Sequence, residues 1–288
     1  MRFSRVLVIG ATGQLGSAIL EAFRGAQTVG LGHAEIEIED PKSVAAALDE
    51  HRPDLVISTA AFHNVPRCER EPVRALEVNA IAVDGLARAC ETREAAFATF
   101  SSDYVFDGEK GAPYDETDAP HPLSAYGLSK LAGELLTRAA SPRHFIFRTS
   151  GLFGSRPSSV KGYTFIDRIL DQARRGEQVR VVTDMTFSPS YAPHVAATVA
   201  AVTGRAPFGT YHVTNAGACT WYEFAEEALR QAKLVHPIEP TTSAEWNDGV
   251  RRPRYSALAH GALVRAGLPD VPPWQEGIAA YLRAAVSS

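Results

Sequence analysis

Cysteine is scarce in this chain. Its three copies, Cys68, Cys90 and Cys219, are odd in number and far apart. They match neither a disulfide framework nor a zinc-ligand spacing, and they fit a reducing compartment. Long apolar runs are missing as well. No stretch approaches the ~20 residues of a membrane span, and the opening MRFSRVLVIG turns to glycine too soon for a signal-peptide core. Nor does one sign of charge dominate. With 33 acidic and 29 basic side chains the net charge is −4, which gives no footprint for nucleic acid or an anionic membrane. Internal repeats and low-complexity segments are absent. What is left is a globular composition, 45% hydrophobic and 22% charged over 288 residues. That length suits one large domain, or a domain with a second lobe, and a cytoplasmic location is expected.

Short apolar runs alternate with helical-period segments through the first half. Ser4–Gly10 reads as a fully buried strand because its apolar residues are continuous. A helix over Gln14–Arg24, a weaker strand over Gln27–Gly32 and a helix near Pro41–His51 follow. Next come a strand at Asp54–Ser58, a long helix at Val73–Thr92 and a strand at Ala96–Ser101. Ser124–Arg138 reads as helix and Phe145–Thr149 as strand. This alternation predicts an α/β fold, a Rossmann-type doubly wound parallel sheet. After Ser150 come a polar loop at Ser155–Gly162, a helix running to Arg175 and a strand at Gln178–Val182. A helix near Pro193–Val202, a strand at Gly209–Val213 and a helix at Trp221–Ala232 follow. Beyond the proline-rich stretch Pro237–Pro253, short helices near Ala257–Ala266 and Trp274–Ala285 close the chain. Residues 1–150 are thus expected to form an NAD(P)-binding core completed by parts of 178–213. Residues 151–288 are expected to be mainly a smaller substrate-binding α/β lobe.

Ligands of such sheets bind outside the carboxyl ends of the strands. Gly10-Ala-Thr12-Gly13-Gln14-Leu15-Gly16 lies there, directly after the first strand and opening the first helix. Glycines permit a tight turn and close approach of a pyrophosphate, whose charge meets the helix N-terminus. The second strand ends Gly30-Leu31-Gly32-His33, with no carboxylate until Glu35. NADPH is therefore preferred over NADH, with His33 either facing a 2′-phosphate or serving as a surface loop residue. Farther on, Tyr126 and Lys130 lie four apart at the start of a predicted helix, hence on one face. A nearby ammonium favours the ionised phenol, making the tyrosine a proton donor and acceptor closer to neutral pH. Ser102, at the end of the preceding strand, can offer a hydroxyl to a carbonyl.

Together the Gly10–Gly16 turn, Asn79 and the Ser102/Tyr126/Lys130 set resemble the extended short-chain dehydrogenase/reductases. The segments PDLVISTAA (53–61), SSDYVFDG (101–108), YDET (114–117), PLSAYGLSKLAGE (122–134), FRTS (147–150) and RPRYSAL (252–258) narrow the resemblance to the dTDP-4-dehydrorhamnose reductase family. That resemblance implies reduction of the 4-keto group of a nucleotide-diphosphate-linked 6-deoxyhexose. Tyr126 would protonate the alkoxide, Lys130 would lower the tyrosine pKa and bind the nicotinamide ribose, and Ser102 would hold the ketone oxygen. It also implies cofactor contacts at Glu37, Ile38, Ala60, Ala61, Phe62 and Asn79. Asp103 and Val105 would flank the sugar, with Arg252 near the diphosphate, where a planar guanidinium can make paired hydrogen bonds.

Departures from the family pattern fall in the substrate pocket. Phe62-His63-Asn64-Val65-Pro66 replaces a more usual aromatic-threonine stretch, placing His63 beside the sugar or on a backbone partner. Gly151 stands where many members have a tryptophan, and is expected to widen or reshape the pocket. His194 replaces a common aspartate. No catalytic metal is expected, since the histidines do not cluster with other ligand types. Trp221, Trp246 and Trp274 are expected to pack rather than bind, and a homodimer is left open. Two other readings compete with the reductase. In a nucleotide-sugar dehydratase an aspartate-glutamate pair follows the Ser/Thr, and here Tyr104 follows Asp103; a 4-epimerase of the same fold is not distinguished. A non-catalytic NADP-binding subunit, like the β subunit of methionine adenosyltransferase, would not need the proton donor that is retained here.

Overall fold

The computed structural model describes residues 3–154, 163–246 and 248–286. Strands β1 (Arg5–Ile9), β2 (Gln27–Leu31), β3 (Leu55–Ser58), β4 (Ala96–Ser102) and β5 (His144–Thr149) pair in parallel. A sixth, Gly209–His212, joins them on the far side of β5. The order across the sheet is Gly209–His212, β5, β4, β3, β1, β2. It reverses direction between β1 and β3, the switch point at which doubly wound sheets open a ligand crevice. The apolar runs of β3 and β4 are buried on both faces, which explains their lack of alternation.

Helices cover the two faces. Gln14–Ala22 and Ala192–Arg205 pack Leu15, Ile19, Val195 and Val199 on one side. Pro41–His51 and Ala82–Glu91 pack Val44, Leu48, Val83 and Leu86 on the other. A second apolar core gathers Ile166, Ile169, Phe187, Phe224, Trp274 and Ile278 beyond the sheet's edge. The predicted strand at Gln178–Val182 belongs here: Val179–Val182 pairs with Ile238–Thr241 rather than with the central sheet. Its alternate residues Val179 and Val181 point into this second core, so only Gly209–His212 of the later strands completes the main sheet.

The long helix expected over 73–92 is built in pieces. Pro72–Leu76 runs into a π-helical turn at Glu77–Ile81, and Ala82–Glu91 continues it. A short helix at Val65–Arg70, capped by the Asn64 side chain, precedes them. The loop expected at 155–162 lies outside the described residues. Among the described residues, no helix is long and apolar enough to cross a membrane.

Candidate functional site

Gly10 follows β1 with φ +80°, and its amide donates to the Leu31 carbonyl of β2 at 2.9 Å. A β-carbon there would lie 2.5 Å from Thr59 Oγ1, and one on Gly16 would lie 2.2 Å from the Gly10 carbonyl oxygen. The loop is thus wound tightly onto the first turn of helix Gln14–Ala22. No side chain caps that helix at Gly13, and its first turn holds no carboxylate. A pyrophosphate fits the positive end that remains. Leu15 faces the core, Thr12 is exposed, and Gln14 Nε2 donates to the Gly154 carbonyl.

At the tip of β2 the chain does something its sequence conceals. Glu35 folds back so that its carboxylate accepts from the Gly32 amide at 2.7 Å. A negative charge therefore stands at the strand end although no acidic residue occurs within it. His33 is exposed beside it. Glu37 is exposed, with its amide donating to Ser43 Oγ, and Ile38 is half-buried against the core. After β3, the half-buried Ala60, Ala61 and Phe62 form the other lip of the crevice. Asn79, buried in the π-helical turn, clamps that lip. Its Oδ1 accepts from the Phe62 amide at 2.8 Å, while Nδ2 donates to the Phe62 carbonyl and to Ser129 Oγ. Asn79 thereby ties the β3 loop to the helix that carries Lys130. His63 is exposed, its Nδ1 3.3 Å from the Ala61 carbonyl, so the structure gives it the backbone partner.

Helix Ala125–Ala140 is capped by Ser124, whose hydroxyl accepts from the Gly127 amide. Its Tyr126 meets Ser102 at the end of β4, and Lys130 is buried one turn farther on. Burial drives the Lys130 ammonium down to about 8, against the pull of Glu134. The phenol of Tyr126 behaves differently from the sequence-based expectation. Burial of its hydroxyl pushes it above its ordinary value, Ser102 pulls the other way, and Asp103 adds to the rise. Desolvation outweighs the Ser102 hydrogen bond here, so the phenol stays loaded with its proton at neutral pH. A proton donor needs that state.

Ser102 is itself engaged. Its hydroxyl donates to Asp103 Oδ1 at 2.9 Å and accepts from the Tyr104 amide. Asp103 is wholly buried and its Oδ2 also accepts from Ser150 at 2.7 Å and Ser256 at 2.6 Å. Three hydroxyls, one from the adjacent residue and two from distant parts of the chain, thus surround one carboxylate. Burial raises its pKa, and the serines oppose the rise. A hydroxyl has one proton, so Ser102 can donate to a ketone only by turning away from Asp103. Asp103 is buried, with its carboxylate taken up by these three serines. Val105 is likewise buried, packed with Phe106, Tyr114 and Leu258. Arg252 is held by Asp248 through Nη1 at 2.6 Å and Nη2 at 2.5 Å, and it also faces Tyr104.

Gly151 does not leave an opening. It sits at φ +49°, and a β-carbon there would meet the Phe187 ring at 2.2 Å. Phe187 therefore fills the volume expected to be free. Trp274 is a core residue, Trp221 is half-buried, and Trp246 is exposed with Arg168 over its ring. His194 bonds to the Asn215 side chain. Sequence reasoning missed Glu35, Ser150, Ser256 and Phe187 as site residues. Ser150 and Ser256 lie inside segments that had drawn notice, but nothing local signals that they converge on Asp103.

A phosphate-type turn after β1, with Ser102 at the end of the parallel strand β4 and Tyr126 and Lys130 on the helix that follows, defines a protein of the extended short-chain dehydrogenase/reductase class. The RmlD substrate binding domain model matches residues 4–287. The chain belongs to the dTDP-4-dehydrorhamnose reductase family. It is 34% identical to the spore coat polysaccharide biosynthesis protein SpsK of Bacillus subtilis, over 97% of each chain. With a dTDP-4-dehydrorhamnose reductase of Streptomyces griseus it shares 34% identity, over 95% of this chain and 91% of the relative. Among solved structures, a dTDP-4-dehydrorhamnose reductase of Bacillus anthracis in complex with NADP superimposes with a TM-score of 0.92 at 31% identity. That match covers 97% of this chain and 99% of the other.

Proposed function

We propose that this protein reduces the C4 ketone of a nucleotide-linked 6-deoxyhexose, converting dTDP-4-dehydrorhamnose to dTDP-rhamnose, with NADPH as reductant and NADH as a second choice. The juxtaposition of Ser102, Tyr126 and Lys130 beside the Gly10–Gly16 turn carries this reading. The turn and the Ala60–Phe62 lip would hold the dinucleotide, which supplies hydride when bound. Ser102 turns its proton from Asp103 toward the ketone oxygen and fixes its position. Tyr126 transfers its phenolic proton to that oxygen as negative charge develops, so ketone, hydride and proton together give the alcohol. Lys130 stabilises the resulting phenolate with its ammonium. Arg252, released from Asp248, would pair with the diphosphate through its planar fork. The second core and its helices would form the substrate lobe.

A homodimer is part of the same reading. Val73, Ile81, Leu128 and Leu135 are each more than half exposed on helical segments packed side by side, leaving an apolar face for a second copy. The three free, buried cysteines fit a cytoplasmic setting. Following NADPH absorbance with dTDP-4-dehydrorhamnose tests the reaction. Turnover should fall by about 10²-fold or more in Tyr126→Phe, while NADPH binding persists. Undiminished turnover in that variant refutes the mechanism.

A further inference from the structure

Aromatic rings of the second core lie close to the catalytic strand ends. Thr149 pairs with Ser102 in register, and Gly151 follows two residues later. Ser256, which donates its hydroxyl to Asp103, also donates its amide to the Thr186 carbonyl, and Phe187 is the next residue. The Phe187 ring lies where a side chain at position 151 would project, with Cε2 at 2.2 Å and Cδ2 at 2.4 Å from an added β-carbon. Its face is stacked on the Trp221 indole, with ring centres 3.9 Å apart and planes 12° from parallel. Phe187 is buried, whereas Trp221 is half open. Trp221 is also held firmly. Its amide donates to the Met185 carbonyl, Phe165 meets it edge-on at 4.8 Å, and the Thr220–Glu223 capping box fixes the start of its helix.

We propose that the Phe187–Trp221 stack, seated on Gly151, is the aromatic wall of the sugar pocket and determines which hexose fits. It rests on the nucleotide-sugar reading given above. A rigid indole face suits the C–H face and C6 methyl of a 6-deoxyhexose, while the indole N–H can donate to a ring hydroxyl. Phe187 sets the depth of the wall, and the absent side chain at 151 lets the ring reach that position.

The test compares wild type, Trp221→Ala, Trp221→Phe and Phe187→Leu. It measures KM and kcat for dTDP-4-dehydrorhamnose, calorimetric Kd for dTDP-rhamnose, and Kd for NADPH. Trp221→Ala should weaken both sugar-nucleotide constants by about tenfold, with NADPH affinity unchanged. Trp221→Phe should recover most of the loss, and Phe187→Leu should fall between them. Sugar-nucleotide affinity equal to wild type in folded Trp221→Ala overturns the wall. Wild type that binds dTDP-rhamnose without reducing the keto-sugar refutes the reductase reading alone, and the same affinities still decide the wall. Wild type that binds neither sugar nucleotide overturns both.

Discussion

The helix that carries Tyr126 and Lys130 is fastened to the sheet by a buried ion pair, which can be taken apart. Arg148 of β5 donates through Nε and Nη2 to the two oxygens of Glu134 at 2.8 and 2.7 Å. Both side chains are almost wholly buried, at 2% and 1% exposure. The Arg148 guanidinium also lies 5.1 Å over the Phe106 ring. Glu134→Leu strands the Arg148 guanidinium in the core and should cost about 3–5 kcal/mol, whereas Arg148→Met leaves the carboxylate its bond from Arg138 Nη2 at 2.8 Å and should cost less. Against a total stability of roughly 5–15 kcal/mol that is a large loss. Removing both charges together, as Arg148→Met/Glu134→Leu, should cost less than Glu134→Leu alone, because the cation that then loses its partner, Arg138, is part-exposed rather than buried. Urea unfolding followed by circular dichroism at pH 7 measures all four proteins. A double variant as unstable as the summed singles refutes the reasoning. The pair also predicts a pH response. Burial alone would raise the Glu134 carboxyl, but the Arg148 bonds and charge bring it below its usual 4.5. The stabilisation is present above that usual value and is lost as pH falls through the lower folded one. Acidification should therefore weaken wild type more than the double variant.

Lys130 titrates in the opposite sense. Its folded value is about 8 against an ordinary 10.5, so between those values the unfolded chain holds the extra proton. The Lys130 contribution to the stability of the cofactor-free protein should therefore grow from about pH 8 to 10.5, read as the pH-dependent difference between wild type and Lys130→Met in the same urea assay. Glu35→Gln should shift cofactor choice toward NADPH. A charge repulsion of about 1 kcal/mol near the surface corresponds to about fivefold in the NADPH/NADH ratio of kcat/KM. An unchanged ratio would show that the Glu35 carboxylate does not face the adenosine ribose.

Much of the sheet can be seen in the sequence because parallel strands buried on both faces leave unbroken apolar runs. β1, β3, β4 and β5 are such runs, and each ends within a residue or two of its expected limit. The strand near 178–182 could be recognised but not assigned to a sheet, since pairing with Ile238–Thr241 is a contact across nearly sixty residues. The π-helical turn that brings Asn79 to Phe62 has no periodic signature distinct from the helices on either side. At the site, Tyr126 and Lys130 are legible because four-residue spacing fixes a shared helix face. The family resemblance put Asp103 beside the sugar. Its true surroundings, Ser150 and Ser256, come from turns 47 and 153 residues away. Glu35 was hidden differently, since a side chain that folds back three residues defeats a search for a carboxylate within the strand. Gly151 suggested empty space because its occupant, Phe187, is supplied by another segment.

The hydroxyl shell around Asp103 has a bearing on how the protein is made. Synthesis proceeds from the amino end, and early segments tend to fold first. The five strands β1 to β5 and the glycine turn are all present once residue 151 has been joined. The Asp103 carboxylate, however, lacks one of its three hydroxyl partners until residue 256 has been added. A nascent chain stalled between those points has the dinucleotide turn without the finished catalytic centre. The hydroxyl shell of Asp103 is therefore completed only after residue 256 has been joined, well after the five strands.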